Sequence, residues 1–362
     1  MALASQLGKI FQSDKINESL GVVGIDFGAS SLKVVQLKMG QKTIALETYG
    51  ELQLGPYGNK DIGEVVTLEP TRLTEALVDI IRESHVTTRN AVLAIPSTSS
   101  FMVAIDVPTL DEGQVASMIP VEARKYIPVS MNDITLDWFA IPDAEAEKKN
   151  ITRALLAAVH NESFGKMRSV VQSAGLVGNG YEIEGFSAVR AAVQKSETAT
   201  LVLELGAFAT RIYILERGIV HDMHTVRHGA TELTIAIAKT LAVPFGEAEN
   251  IKRSMGLVSD NYDPRIREAI APFVERLMSE AMRVLTRYET TRDTTIEEIS
   301  LSGGGALLKG FIDYVSEVSH KKVVFADPFS KVEYPAFLES ILLEAGPSFT
   351  IALGAALRGM SE

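Results

Sequence analysis

The sequence predicts an α/β protein of two similar domains, with a small α+β subdomain inserted into the first. Three observations carry this. One tight hairpin is written twice, at 24–34 and 202–212, and its glycines Gly28 and Gly206 stand 178 positions apart, about half the chain. Apolar runs alternate with helical patterns along the chain, the mark of sheets layered with helices. A 362-residue chain with 46% hydrophobic residues is long and apolar enough for more than one core. Each hairpin runs an apolar strand into an acid, Asp26 or Glu204, turns at a glycine and leaves in a second strand. An acid and backbone N–H groups therefore sit at each turn, a geometry that suits phosphate and a metal ion, and two such turns facing one cleft make a clamp.

In chain order, residues 1–20 form a tail. Leu3, Leu7, Ile10 and Phe11 fall on one helical face, but the segment reads as loosely packed, with neither a basic leader nor an apolar run of signal length. Two hairpin strands follow from 21, then a strand over 42–54, a helix over 70–84 with Leu73, Leu77, Ile80 and Ile81 at helical spacing, and a strand at 90–95. Pro96 and the serine- and threonine-rich residues after it break the pattern. A strand at 101–107, a helix, and the stretch from Tyr126 to a strand at 134–138 read as the insert, with 143–150 as a charged, solvated hairpin tip. A strand at 154–159, a helix at 163–174 and a helix opening near Glu184 lead to the second hairpin. Asp263 and Pro264 start a long helix. Its stripe of Ile266, Ile270, Phe273, Leu277, Met278, Met282 and Leu285 is core, and Pro272 should kink or divide it. A strand at 298–301 runs into a glycine turn, and a small-residue helix at 349–358 closes the fold. The expected domains are 21–97 with 176–195 and the closing helix at 346–362, the insert at 98–175, and the second domain at 196–345.

A net charge of -11 and a pI near 5.2 argue against a nucleic-acid binder or one that adheres to anionic membranes. The absence of cysteine excludes disulfides and thiolate metal sites, and a reducing cytoplasm fits. No stretch reads as the roughly 20 apolar residues of a membrane span.

The candidate site follows from the turns. Asp26 ends a buried strand, where a carboxylate is costly unless a magnesium ion with its waters stands nearby, so an indirect metal contact is expected. Gly28, Ala29, Ser30, Ser31 and Lys33 supply amides, hydroxyls and a compact cation for phosphate; Gly206 and Ala207 repeat the turn. Gly303, Gly304 and Gly305 allow a ligand to approach the backbone before a helix whose N-terminus favours anions. Glu249, Lys252 and Arg253 share a helical face and either grip a ribose and adenine or form a surface ion pair. His221, His224 and His228 lie across a strand and loop with no acid placed beside them, and read as surface or interface residues rather than metal ligands.

In order and spacing, the two hairpins, the Glu184 helix, Glu249-x-x-Lys252-Arg253, the turn at 302–305 and Leu353-Gly354-Ala355-Ala356 resemble the actin-like ATPase superfamily, whose domains are ribonuclease H-like. Within it, residues 20–360 are similar to the PilM family of type IV pilus assembly, and also to the division protein FtsA. Gly24-Ile25-Asp26-Phe27-Gly28 and the insert stretches Asp106-Val107-Pro108, Glu122-Ala123-x-x-Tyr126-Ile127-Pro128 and Leu136-Asp137-Trp138 favour PilM. The resemblance implies ATP and Mg2+ in the cleft, with Asp26 and Glu204 on the metal side and Glu184 and Glu204 as the catalytic acids. It implies a cytoplasmic protein held at the inner membrane by the N-terminal peptide of a PilN-like protein, in a groove between the first subdomain and the insert. Pilus motor or platform components and self-association are further implied partners. Three departures from the pattern imply weak or absent hydrolysis: Glu204 stands for the usual aspartate, bulky Phe208 for a small residue, and Gly185 for the proline after Glu184. The alternatives are an actin-fold small-molecule kinase, which needs an aspartate base that is not evident, and an FtsA-like filament former, which usually ends in an amphipathic helix.

Overall fold

The hairpin repeat extends to whole sheets. In the first, β3 (Ile44–Gln53), β2 (Ser31–Met39), β1 (Val22–Phe27), β4 (Asn90–Ile95) and β8 (Val177–Ile183) lie in that order, the first three antiparallel and the last two parallel to β1. The second repeats the arrangement with β11 (Ile219–Val226), β10 (Thr210–Glu216), β9 (Ala199–Leu205), β12 (Ile296–Ser302) and β13 (Lys322–Phe325). The computed structural model describes residues 21–40, 43–109, 112–127, 129–142, 150–194, 198–258 and 263–360, with 146 and 148. The expected tail at 1–20 and most of the charged tip at 143–150 lie outside the described residues.

β1 and β9 are buried along their whole length, so, apart from Thr200 in β9, each reads as an apolar run up to the acid near its end. Helices cover both faces. On one side of the first sheet lie α1 (Pro70–Glu83) and α3 (Asn161–Ser173), packed against each other; on the other lie α4 (Glu184–Ala192) and α9 (Glu339–Gly359). The second sheet is covered by α5 (Thr231–Leu241), the 29-residue α7 (Pro264–Arg292) and α8 (Phe311–Ser319), with α6 (Phe245–Met255) packed on α5. α7 runs unbroken through Pro272, contrary to the expected kink. Pro272 and Glu268 are both exposed, so the carbonyl that loses its donor is open to water.

α9 begins ten residues before its expected start. With its preceding turn it forms an apolar stretch, Ala336–Gly359, of mean hydropathy 1.4 and membrane-spanning length, yet it is a core helix, 67% buried in its most apolar window. It approaches the first sheet so closely that a Cβ on Gly24 would stand 2.0 Å from the Ala352 carbonyl oxygen, and one on Gly354 1.9 Å from that of Ser187. A buried ionic cluster pins the same junction. Glu182 at the end of β8 accepts from Arg190 of α4 at 2.5 and 2.8 Å, from Ser187 at 2.5 Å and from Arg358 of α9 at 3.4 Å. Burial pushes the Glu182 pKa up, but the two guanidinium groups outweigh it and hold the carboxyl below its ordinary range.

The insert is a three-stranded sheet of β5 (Ser100–Pro108), β7 (Ile151–His160) and β6 (Ile134–Ile141), with α2 (Glu112–Ala123) on one face. Period-two alternation divides β7: Ala154, Leu156 and Ala158 face the insert's own core, while Leu155, Ala157 and Val159 join the core of the first sheet. Trp138 packs half-buried in the insert core, whereas Tyr126 is exposed.

Candidate functional site

Between the two sheets lies a cleft of about 910 Å³, lined by both hairpin turns, the 303–305 turn and α6. The strand register sets its floor. Asp26 stands opposite Lys33 across β1 and β2, and Glu204 stands opposite Arg211 across β9 and β10, so the repeat duplicates an acid–cation pair.

At the first turn, Lys33 Nζ donates to Ser31 Oγ at 2.7 Å and pairs with Glu51 at 3.3 Å. Burial raises the Glu51 pKa, but Lys33 outweighs it and the carboxyl ends below its usual value. The carbonyls of Ala29 and Ser30 accept from Val66 at 3.0 Å and Leu54 at 2.9 Å, which braces the turn. Asp26 is buried beside it, its pKa pushed up to about 7 by desolvation; Glu184 and Glu204 add to the rise while Lys33 and Arg211 oppose it.

The second turn holds a residue that sequence reasoning missed. Arg211 Nη1 donates to Glu204 Oε1 at 2.9 Å, and Nη2 reaches Glu184 Oε1 at 2.5 Å. Its Nε and Nη2 also donate to Ser97 Oγ at 2.9 and 2.5 Å, and the Ser97 N–H donates to Glu184 Oε1 at 2.6 Å. The second Glu204 oxygen accepts from the Tyr213 hydroxyl at 3.2 Å. Burial disfavours the charge on Arg211, but Glu184 and Glu204 outweigh it and hold the guanidinium pKa above its ordinary value; Glu204 is raised by desolvation despite Arg211. Gly185 fits this arrangement, since a Cβ there would come within 3.0 Å of the Tyr213 ring and 3.1 Å of its hydroxyl. Bulky Phe208 is 46% exposed at the tip of the turn, on the wall of the cleft. A sequence signal for Arg211 did exist: it lies at the same offset of 178 from Lys33 as Gly206 does from Gly28.

The donor set for a metal is therefore uneven. Both oxygens of Glu204 are engaged, and Asp26 is the acid of the expected pair that remains for an indirect contact. Among the described residues no group of three or more histidines or acids is placed to hold a metal ion. The three histidines also differ from expectation, which placed no acid near them. His221 is buried, His224 lies 3.7 Å from Glu280, and His228 Nδ1 meets Glu232 at 2.8 Å.

The glycine turn serves packing as much as ligand access. Gly303 has φ +85°, and a Cβ there would meet the Leu205 carbonyl oxygen at 2.5 Å; one on Gly305 would meet Leu205 Cγ at 2.5 Å. Gly304 is open, with Ser348 Cβ the nearest atom at 3.9 Å. No α-helix starts at the turn as expected. A 3-10 turn, Gly304–Leu307, intervenes and α8 begins at Phe311, so a helix dipole does not reach the glycines.

Glu249 accepts from Thr234 at 2.6 Å, Lys252 at 2.7 Å and Arg253 at 2.7 Å. A Cβ on Gly63 would stand 2.7 Å from Glu249 Cδ, and Thr231 donates to the Gly63 carbonyl at 3.3 Å. Glu249 is thus buried at a contact between the lobes with Lys252 beside it, while Arg253 stays exposed on the cleft wall.

Known proteins share this architecture. Residues 24–360 match the family model described as type IV pilus assembly protein PilM. A solved PilM-PilN type IV pilus biogenesis complex is similar with a TM-score of 0.80 and 25% identity, covering 96% of this chain and 99% of that one. The ethanolamine utilization protein EutJ from Carboxydothermus hydrogenoformans shares the fold at a TM-score of 0.56 and 18% identity, over 95% of this chain and 92% of that one. So does MreB5 of Spiroplasma citri bound to AMPPNP, at 0.53 and 10%, over 93% and 95%. With two actin-like sheets of one topology meeting at paired acidic turns, and the family pattern matched from the first hairpin to the closing helix, the chain belongs to the PilM family of type IV pilus assembly proteins.

Proposed function

We propose that this protein is a nucleotide-binding adaptor of type IV pilus assembly, which holds ATP between its lobes and takes up the N-terminal cytoplasmic peptide of a PilN-like inner-membrane protein. The observation that carries the reading is the floor of the cleft, where each lobe presents a glycine turn and a buried cation, Lys33 from one side and Arg211 from the other. A polyphosphate is the ligand that two such cations and the turn amides recognise. Lys252, Arg253 and the open side of Gly304 then flank the nucleoside end. Hydrolysis is slow or absent, because Glu184, the candidate base, has its Oε1 held by the Arg211 guanidinium and the Ser97 N–H instead of being turned towards a water.

The same cleft runs on as an apolar lane past Leu68, Leu73, Met167 and Val170, between α1 and α3, towards the root of the insert. Val121 and Tyr126 are exposed on the insert, and this is the surface we assign to an extended or helical peptide. Similarity to a PilM-PilN complex supports this partner, and with it a cytoplasmic placement at the inner membrane.

Two measurements test the reading. Nucleotide released from freshly purified protein should include ATP, and calorimetry should show Lys33→Ala weakening ATP binding by about tenfold or more. Tyr126→Ala should reduce capture of the PilN-like peptide while leaving ATP affinity in place. Native and Lys33→Ala proteins that take up ATP equally, or not at all, would sink the proposed site.

A further inference from the structure

Magnesium is the part of the expected ligand set that fits these residues least. We propose that Arg211 is a resident cation standing where the second acidic turn would otherwise serve a metal, so that the cleft binds a nucleoside triphosphate without a divalent cation. The inference rests on the nucleotide reading above and concerns how the charge of the phosphates is met.

Glu204 has one oxygen on Arg211 at 2.9 Å and the other on Tyr213 at 3.2 Å. A metal-bound water at this turn would have to share oxygens already held by two buried bonds and would bring a cation up against the Arg211 guanidinium 2.9 Å from Glu204. The guanidinium itself stays at the cleft: Arg211 is 9% exposed and lines the wall with Glu184, Glu204 and the turn at Gly206. Arginine carries five N–H donors. Among the described residues Nε serves Ser97, Nη2 serves Glu184 and Ser97, and Nη1 serves Glu204, which leaves one Nη1 donor for a phosphate oxygen. The register then supplies the counterpart. Lys33 and Arg211 occupy equivalent positions in the two hairpins, so a triphosphate lying across both turns meets a fixed cation from each lobe. Arginine suits the role because its charge is permanent and its planar fork matches phosphate oxygens.

Binding of ATP to the nucleotide-stripped full chain, followed by calorimetry with magnesium or with EDTA, tests the inference without any variant. The expected result is that chelation changes the native affinity by less than about twofold. Arg211→Gln carries the risk that Glu184 and Glu204 lose their common partner and the fold suffers. The double variant Glu204→Gln with Arg211→Gln removes one charge of each sign, and far-ultraviolet circular dichroism checks that it folds. That variant should bind ATP about tenfold more weakly in EDTA than the native protein, and magnesium should restore part of the loss. A native protein that loses tenfold or more of its affinity on chelation overturns the inference and leaves the nucleotide reading standing. A folded double variant as tight in EDTA as the native chain overturns it too. Absence of ATP binding in both conditions overturns both readings together.

Discussion

Asp26 gives the sharpest test of how the cleft balances its charges. Desolvation, with the charges of Glu184 and Glu204 added and against the pull of Lys33 and Arg211, lifts the Asp26 carboxyl pKa from 3.8 to about 7. The folded protein thus keeps a proton that the unfolded chain has already released. The penalty is absent below the unfolded pKa, grows as pH rises towards the folded value and is complete above it. Each pH unit between the two values adds about 1.4 kcal/mol. With the folded value roughly three pH units above the unfolded one, the full penalty is about 4 kcal/mol above pH 7. Asp26→Asn keeps the shape of the side chain and has no proton to lose. Nucleotide-free Asp26→Asn should therefore exceed the native protein in stability by up to about 4 kcal/mol near pH 8, and by about 1.5 kcal/mol near pH 5. Urea unfolding of both proteins at the two pH values measures the difference through the midpoint, provided that the slope is unchanged. A variant whose advantage stays flat or shrinks between about pH 5 and about pH 8 would refute the argument that burial outweighs Lys33 and Arg211 at Asp26.

Two further substitutions probe the junction behind the cleft. Glu182→Gln leaves Arg190 and Arg358 facing a neutral partner in a buried site and should cost about 3–5 kcal/mol, read as a lower thermal midpoint. Gly354→Ala drives a Cβ towards the Ser187 carbonyl oxygen, 1.9 Å from its ideal position. Separating α9 from α4 should cost at least about 1–3 kcal/mol, and a midpoint equal to that of the native protein would show that the close approach is relaxed in solution.

Much of the architecture is legible in the sequence because the chain repeats itself. Two hairpins with one pattern at a separation of 178 imply two sheets of one topology, and the observed strand orders repeat as such. α1 is nearly as expected, since Leu73, Leu77 and Ile80 mark one face and Pro70 starts it. One proline misled because it stands on a wet side. Pro272 reads as a break, yet the carbonyl it deprives belongs to exposed Glu268. The turn residues from Asp26 to Lys33 and from Gly206 to Gly305 do line one cleft, because each lies at a strand end set by the repeat. Arg211 was hidden for a different reason. Strand periodicity places it on a buried face, and only the cross-strand register shows that it meets Glu204 there and reaches Glu184. Glu249 stayed ambiguous because its burial depends on Gly63, just over half a chain away in the other lobe.

The cluster around Glu182 reaches further than the stability of one junction. Glu182 is the penultimate residue of β8 and Glu184 opens α4 two residues later, so the acid that meets Arg211 inherits its position from a strand end moored to Arg358, in the last full turn of α9. The last turn of α9 is in this way a keel for the phosphate floor. Clipping the chain just before Arg358 would remove no residue of the cleft wall, yet it would let Glu184 drift, and ligand affinity would decay from a distance.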